Sequence, residues 1–461
     1  MLFHTWTFLC FFALVLAGFF ALRKTSLWLH WLLLASYVFY GWWNPYYLIL
    51  IIYSTALDYF AVQMMDQPRA RRRLWLWLSI VNNLSLLFFF KYARFFIENL
   101  NAHLGLGLSP PENLMPFGLE YLLPVGISFY TFQSMSYTID FYRGDIAREK
   151  SFVRFATFVS FFPQLVAGPI ERAKNLLPQF LKTPKVSRED FADGLSLFVV
   201  GLFKKLALAN YLALYVERIY GAPGDFSGAA LAMGTFAFAW QIYFDFSGYT
   251  DMASGIARMM GFRLMLNFNN PYLATGLGDF WSRWHISLST WFRDYVYIPL
   301  GGNRAGAKRM YLSLLATFII SGLWHGAAWT FLVWGALHGV GLVATRGLEN
   351  SDWYREKLPC FVKRTAVFLF VCLAWIFFRA ESMDDAWLIL TRIFTAAWTD
   401  PQMPLLMLAL VAAAWAYQFA HESRWRTLLQ PAWVRVGLMV GMLVYLCLCS
   451  SGGGAFIYFQ F

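Results

Sequence analysis

The chain has 461 residues, of which 59% are apolar and 14% charged. Because soluble domains average about 45–50% apolar and about 25% charged residues, this composition excludes a disordered chain, a secreted disulfide scaffold and an ordinary soluble enzyme. It predicts an all-α polytopic membrane protein. The 5 cysteines are scattered without metal-ligand spacing, so we expect no metal site. In a membrane protein, the net charge of +11 indicates basic inner loops and not a nucleic-acid partner.

Apolar runs recur along the chain and, at about 20 residues per crossing, predict roughly 11–12 transmembrane helices. The first run begins at Met1, and Arg23 and Lys24 follow it, which argues against a cleaved signal peptide and places the N-terminus outside. The run at 310–345 is long enough for two passes. The other runs lie near residues 26–40, 46–63, 74–90, 120–141, 206–220, 229–245, 361–378, 403–420 and 433–450.

The basic residues give these spans an orientation. When the spans alternate from an outside start, nearly all of the 37 Lys and Arg residues fall on the inner side. Because inner loops of membrane proteins are enriched in Lys and Arg, this bias predicts that both termini lie outside. The exceptions are Lys91, Arg94, Arg218, Arg379 and Arg392.

Three connecting segments, at 91–119, 142–205 and 246–309, are too long to be simple loops. The second contains the apolar but proline-broken run FFPQLVAGPIER, which predicts a re-entrant or surface-lying stretch packed against protein or a cavity. The chain shows no internal repeat and no inverted pair of broken helices, which weakens the hypothesis of a secondary transporter.

The densest mixture of polar and aromatic residues lies in the segment 246–309. Apolar side chains there recur at helical spacing and predict an amphipathic helix on the inner surface. His285 lies near the border of its apolar face, where it could turn toward the bundle interior. The apolar face comprises Trp281, Trp284, Leu288, Trp291 and Tyr295, and the residues away from it are Arg283, Ser287 and Asp294.

A second histidine, His325, lies in the middle of the run 310–345, between Gly322 and Gly326. A helix from Met310 to Trp324, the residue before His325, would extend about 22 Å. This is less than the thickness of a bilayer core, which is about 30 Å. We therefore expect His325 deep in the membrane, at or near a helix break. An ionisable side chain there indicates a functional site, and the alternative is a neutral histidine hydrogen-bonded to a neighbouring helix.

Other ionisable residues near these spans have more ordinary interpretations. His338 is interpreted as a packing or hydrogen-bonding histidine near a helix end. Asp245 and Asp251 adjoin an apolar run, where a structural ion pair or helix cap and a catalytic role both remain open. The basic residues at 143–188 face solvent or anionic lipid headgroups, or dock an acidic donor or carrier.

The passages FSGYTDMASGIARMMGF, NFNNPY, FWSRWHISLSTWFRDYVYIPLGG and SGLWHGAAWTFLVWGALHG resemble the membrane-bound O-acyltransferase (MBOAT) family. The similarity is to its bacterial branch of alginate O-acetylases and D-alanyl-lipoteichoic-acid export proteins. ASYVFYGWWNP, VGISFYTFQSMSYTIDFYRG and FFPQLVAGPIER extend the resemblance, as does the terminal FIYFQF. It implies transmembrane, re-entrant and interfacial helices around a central tunnel, in a bacterial inner membrane with periplasmic termini.

The resemblance also implies a division of the chain and a set of site residues. N-terminal helices would occupy 1–141, a catalytic core 142–345, and C-terminal helices with an aromatic tail 346–461. His325 of WHG is the expected catalytic base, and His285 of RWH its partner in the same tunnel. The expected tunnel-lining residues are Asn270, Arg283, Trp284, Ser287, Trp324 and Asp251.

The implied reaction transfers an acetyl group to hydroxyls of an exported polysaccharide of alginate, cellulose or peptidoglycan type. A cytoplasmic acetyl thioester such as acetyl-CoA would be the co-substrate, with no bound cofactor. His285 or Asn270 could polarise the thioester carbonyl. The expected partners are a periplasmic protein of hydrolase fold and the membrane lipids. A non-catalytic transporter or flippase of an acyl or lipid carrier is the alternative.

The C-terminal tail adds a further hypothesis. A flexible Ser451-Gly452-Gly453-Gly454 hinge precedes the aromatic cluster FIYFQF, which could fold back into the tunnel mouth. Tyr458 would then accept the acyl group and relay it outward. The alternative interpretation is an aromatic anchor at the membrane interface.

Overall fold

The computed structural model describes residues 1–115, 120–304 and 306–449. Within these ranges the regular elements are helices, and no strand is present. The chain divides into two compact units. The first comprises Met1–Leu195 with Ala253–Met265, and the second comprises Ser196–Met252 with the chain from Leu266 onward.

Five helices of the first unit follow the predicted apolar runs, and the others lie in the long connecting segments 91–119 and 142–205. The run at 120–141 becomes helical only at Ile127, after a left-handed turn at Gly126. The helices are α1 (Trp6–Leu22), α2 (Trp28–Gly41), α3 (Leu48–Met65), α4 (Arg72–Leu87), α5 (Ala93–Leu104), α6 (Ile127–Arg143), α7 (Phe152–Ser160), α8 (Phe162–Leu165) and α9 (Ala173–Leu176), followed by the start of α10 (Arg188–Phe203).

The helices of the second unit include both halves of the long run at 310–345. A π-helical turn, Lys204–Ala209, joins α10 to the next helix. The elements are α11 (Asn210–Gly221), α12 (Gly228–Met259, whose last turns belong to the first unit), α13 (Leu277–Arg283), α14 (Ile286–Phe292), α15 (Ala307–His325), α16 (Trp329–Glu349), α17 (Cys360–Arg379), α18 (Met383–Thr395), α19 (Leu405–His421), α20 (Arg426–Leu429) and α21 (Ala432–Cys449).

Six helical segments in the described ranges are long and apolar enough to cross a membrane. Two further apolar helices, α1 and α19, are shorter. These lengths agree with the multi-pass architecture that the sequence predicts. The six segments are Pro45–Met65, Arg72–Leu104, Arg188–Gly221, Trp329–Glu349, Cys360–Arg379 and Ala432–Cys449.

The proline-broken segment at 161–173 is buried along its whole length in the first unit. The backbone N–H of Phe162 donates to Ser36 Oγ at 3.2 Å, and Gln164 Nε2 donates to the Phe158 carbonyl at 2.8 Å. Gly126 approaches this segment so closely that a Cβ would lie 2.7 Å from the Leu165 carbonyl oxygen. The segment therefore packs against protein, as predicted, and does not lie on the surface.

The first unit also contains a fully buried carboxylate that the sequence analysis did not single out. Asp58 on α3 accepts hydrogen bonds from Ser79 Oγ at 2.6 Å and from Asn83 Nδ2 at 2.9 Å, both on α4. The Ser134 hydroxyl on α6 also donates to it. These donors compensate a negative charge that the apolar surroundings would otherwise disfavour, and they join three helices.

In the second unit, α15 and α16 form a tightly packed hairpin. A Cβ on Gly322 would lie 2.2 Å from the Phe331 carbonyl oxygen, and one on Gly335 would lie 2.3 Å from that of Phe318. Only glycine allows two backbones to approach this closely. The glycines of SGLWHG and WGALHG thus bring the two helices together at the end that carries His325.

Candidate active site

His325 is the last residue of α15, and residues 326–328 separate it from α16. The predicted helix break is therefore confirmed. The helix begins three residues earlier than expected, at Ala307, so its 19 residues extend about 28 Å. That length is close to the thickness of a bilayer core, so helix length does not by itself place His325 at the bilayer centre.

Aromatic rings enclose the His325 imidazole. Trp324 and Trp334 each lie 5.0 Å from it, centroid to centroid, and Phe378 lies 5.2 Å away. All three rings meet the imidazole edge-to-face, with interplanar angles of 82° for Trp324, 81° for Trp334 and 70° for Phe378. His325 is 4% exposed. Such close packing by three rings fixes the orientation of the imidazole.

The structure corrects the prediction of one amphipathic helix through Trp281 and Tyr295. Two short helices, α13 and α14, occur instead, and they are separated at Trp284 and His285. His285 has a φ of 43°, in the left-handed region that interrupts a helix. Ser287, expected on the polar face, is fully buried, whereas Ser282 and Arg293 are exposed, so the segment is enclosed by protein only in part.

His285 shares a neighbour with His325. The His285 imidazole is fully buried, 4.6 Å from the Phe246 ring and 6.1 Å from the Trp324 ring. The Trp324 ring is thus a direct neighbour of both imidazoles. Burial lowers the pKa of His285 well below the usual histidine range, which keeps its imidazole neutral. The structure therefore brings together three of the predicted residues, His285, Trp324 and His325.

A residue that the sequence analysis missed holds this histidine turn. The first amide of α14, Ile286 N–H, donates to the Asn267 carbonyl at 2.9 Å. The side-chain oxygen of Asn267 accepts from Ser287 Oγ at 2.9 Å and from Ser287 N–H at 3.3 Å. Because His285 supplies no side-chain cap, Asn267 satisfies the amides that begin α14. Asn267 is the first asparagine of NFNNPY, a motif that the resemblance already included.

Two other predicted tunnel residues, Asn270 and Arg283, belong to a different cluster. Asn270 Nδ2 donates to Glu422 Oε1 at 3.1 Å, and Arg283 Nη1 lies 2.8 Å from the same oxygen. Arg283 Nε also pairs with Asp279 at 2.7 Å. These partly exposed groups form a polar cluster around Glu422, and the hydrogen bonds and ion pairs described for them join asparagine, arginine, aspartate and glutamate side chains. Asn270 therefore uses its side-chain amide within this cluster.

The remaining predicted side chains pack or pair. Trp284 is buried and packs against Phe268 and Trp375, each 5.1 Å from its ring. Asp251 lies 2.6 Å from Lys204 Nζ. Asp245 also forms an ion pair, so each of the two aspartates has a lysine partner.

That second pair is deeply buried. Lys205 Nζ lies 2.8 Å from Asp245 Oδ1, and both side chains are 3% exposed. His338 is also fully buried, 4.9 Å from the Trp334 ring and 5.0 Å from Trp281. Its nitrogens have no hydrogen-bond partner among the described residues. His338 is therefore a packing histidine.

A row of hydroxyl side chains leads along α15 to His325. Ser313, Thr317 and Ser321 precede it at steps of four residues, and all are buried. Residues four apart lie on the same face of a helix. Thr317 and Ser321 also line a cavity of about 260 Å³ among α13, α14, α15 and α16. The cavity therefore lies on the face of α15 that ends in His325.

The cavity has an apolar interior and basic residues in its wall. Trp281, Leu288 and Phe318 line it together with Arg293 and Arg346. The wall also has a polar part, formed by Tyr297 and Asn303. The Tyr297 hydroxyl donates to Asn303 Oδ1 at 2.7 Å. Within the described part of the chain, no group of three or more His, Cys, Asp or Glu side chains could hold a metal ion. Tyr458 lies outside the described residues.

The fold and this site define a class, a helical membrane protein with two buried histidines beside one tryptophan. A family model for the membrane-bound O-acyltransferase family matches residues 145–383. The chain is 43% identical over 369 residues to the probable alginate O-acetylase AlgI of Pseudomonas aeruginosa, covering 79% of this chain and 69% of that protein. It is 38% identical over 385 residues to a peptidoglycan O-acetyltransferase of Helicobacter pylori, covering 77% and 72%.

A more distant relative is a teichoic acid D-alanyltransferase of Streptococcus thermophilus, 30% identical over 248 residues, which covers 50% of this chain and 58% of the relative. The chain therefore belongs to the membrane-bound O-acyltransferase family. It is a multi-pass membrane enzyme that transfers acyl groups to hydroxyls. This membership replaces the alternative of a non-catalytic transporter or flippase.

Proposed function

We propose that the protein transfers an acetyl group from a cytoplasmic acetyl thioester to hydroxyls of an exported polysaccharide, with His325 as general base. The observation that carries the proposal is the placement of His325 and His285 around Trp324, at the end of the hydroxyl row on α15. The relatives named as alginate and peptidoglycan O-acetyltransferases support the acyl group and the class of acceptor.

The chemistry requires a base and an oxyanion donor. A ring nitrogen of neutral His325 takes the proton of the attacking hydroxyl while the hydroxyl oxygen bonds to the carbonyl carbon of the thioester. The carbon–sulfur bond then breaks, and the leaving thiolate takes that proton from His325. Neutral His285 has one N–H, which can donate to the carbonyl oxygen as negative charge develops there. Apolar walls strengthen both interactions because they exclude water.

The cavity of about 260 Å³ is the proposed entry for the thioester donor. Arg293 and Arg346 suit the phosphates of a donor such as acetyl-CoA, and the apolar wall suits its uncharged arm. The row through Thr317 and Ser321 offers hydroxyls along the way to His325. The donor is a co-substrate that the protein binds only transiently.

The acceptor side of the proposal rests on the resemblance and on charge. We propose that the acetyl group crosses a bacterial inner membrane, that both termini are periplasmic, and that a periplasmic partner of hydrolase fold delivers it to the polysaccharide. Nearly all basic residues fall on the side that this orientation makes cytoplasmic. Tyr458 is either an acyl relay or an interfacial anchor, and Tyr458→Phe distinguishes them by loss or retention of transfer.

The test compares two buried histidines of one aromatic core. Purified His325→Gln, His338→Gln and parent proteins are incubated with labelled acetyl-CoA, and label on an oligosaccharide acceptor or in released acetate is measured. His325→Gln should lower the rate by about 10²–10⁴-fold, the usual contribution of a general base. His338→Gln should retain most of the rate, because His338 only packs. Equal rates for His325→Gln and parent would refute the proposal.

A further inference from the structure

The first unit contains a second cavity, of about 400 Å³, where the loop after α6 meets α7 and α9. We propose that this cavity binds the phosphate headgroup of an anionic phospholipid from the inner leaflet. Neither the family membership nor the acyl-transfer site requires such a ligand. The proposal is therefore independent of the proposed function. The lining of the cavity includes Arg148, Lys150, Arg154, Lys174 and one carboxylate, Glu149.

The charges in the cavity leave an excess of cations. Glu149 is 8% exposed and accepts from Arg154 Nη1 at 2.6 Å and from the Ser151 N–H at 2.8 Å, so this carboxylate is engaged. In the described ranges, no carboxylate lies within ion-pair distance of Lys150 or Lys174. Both lysines are exposed, so their ammonium groups can meet an incoming anion. A phosphate would supply the negative charge that the cavity wall lacks.

The position of the cavity relates it to the membrane boundary. Arg148 Nη1 lies 3.3 Å from Asp66, the residue directly after the candidate span Pro45–Met65. The Lys150 carbonyl accepts from Tyr59 Oη, on the same helix, at 2.7 Å. The cavity therefore lies at the level where a membrane-spanning helix ends, which is the level of lipid headgroups. The basic residues Arg69 to Arg73, next in the chain, identify this end as the inner one.

The rest of the lining is apolar. Ile146, Leu177, Pro178 and Leu181 face the same space as the cations. Leu181 is 59% exposed, which is costly in water and favourable beside an acyl chain. A ligand that fits both surfaces has a phosphate at one end and hydrocarbon at the other. Basic pockets between helix ends on the inner side are typical sites for anionic lipid headgroups.

The test measures lipid binding by the delipidated full-length protein in detergent, using native mass spectrometry. Phosphatidylglycerol and phosphatidylcholine are titrated against the parent and the double variant Lys150→Gln/Lys174→Gln. The parent should bind phosphatidylglycerol more tightly than phosphatidylcholine. The double variant should raise the phosphatidylglycerol Kd about 30-fold, since each surface lysine contributes about 5-fold in affinity. An unchanged Kd would overturn the proposal.

Two controls separate this site from general electrostatic attraction. Lys24→Gln/Lys185→Gln removes two exposed charges elsewhere on the predicted inner side and should leave the Kd unchanged. An equal rise in that control would overturn the proposal. Leu181→Ser should weaken phosphatidylglycerol binding, because it removes an apolar contact with the acyl chain, and an unchanged Kd would contradict the role given to the apolar lining. Displacement of the lipid by millimolar inorganic phosphate or acetyl-CoA would identify a soluble phosphate ligand and would also overturn it.

Discussion

Replacing Asn267 by alanine should reduce catalysis without removing either histidine. Asn267 Oδ1 accepts both the Ser287 hydroxyl at 2.9 Å and the Ser287 N–H at 3.3 Å. Each bond contributes about 1 kcal/mol, and leaving a buried donor unsatisfied raises the total to about 2–4 kcal/mol. That cost falls on the turn that orients His285. A displacement of about 1 Å at a catalytic group can lower a rate by about 10²-fold.

The matched variant Asn267→Asp keeps an acceptor oxygen for Ser287 but adds a negative charge near His285. A carboxylate favours the imidazolium, so the pKa of His285 should rise from its depressed value. Activity that needs neutral His285 would then be lost as the pH falls through the raised pKa and would be kept above it. The acidic limb of the kcat–pH profile should therefore move to higher pH in Asn267→Asp.

The assay is labelled acetyl transfer by purified protein, measured as kcat and KM from pH 3 to pH 9, a range that includes the depressed pKa of His285. Asn267→Ala should lower kcat more than it raises KM, because the perturbed group acts on the transition state. Thermal unfolding in the same detergent separates this effect from loss of folded protein. A kcat of Asn267→Ala equal to that of the parent, with an unshifted profile for Asn267→Asp, would refute the role given to Asn267.

Three further substitutions probe packing and burial, each read by thermal unfolding in detergent beside the transfer rate. Gly322→Ala places a Cβ 2.2 Å from the Phe331 carbonyl oxygen, so it should separate the α15–α16 hairpin, cost about 1–3 kcal/mol and lower the rate. Lys205→Ala should cost about 3–5 kcal/mol because it removes the ion-pair partner of the buried Asp245, and a second change, Asp245→Leu, should restore much of the loss. Asp58→Ala should lower the unfolding temperature, because three buried donors lose their acceptor.

Much of the helical architecture could be predicted because an apolar run of sufficient length is a strong local signal. The break at His325 was predictable for the same reason, since the run 310–345 is too long for one crossing. The two-helix arrangement around His285 was not. Spacing describes where side chains would lie if a helix continued, and it carries no information on a single residue with positive φ.

The supporting residues of the site were harder to predict than the histidines. Residues 267–270 contain three asparagines, and only the tertiary fold decides that Asn267 meets Ser287 while Asn270 meets Glu422. Asp58 is a different case. An aspartate within the apolar run 46–63 is a visible signal of a buried polar network, and the sequence analysis passed over it.

The left-handed backbone at His285 affects how its chemistry can be dissected by mutation. A β-branched residue such as valine strains that conformation, so His285→Val would combine a folding defect with the loss of the imidazole. Asparagine tolerates positive φ, is favoured at helix N-caps and still carries an N–H donor. His285→Asn therefore isolates proton chemistry from hydrogen bonding. A site whose backbone itself selects the acceptable substitutions can evolve through only a few side chains.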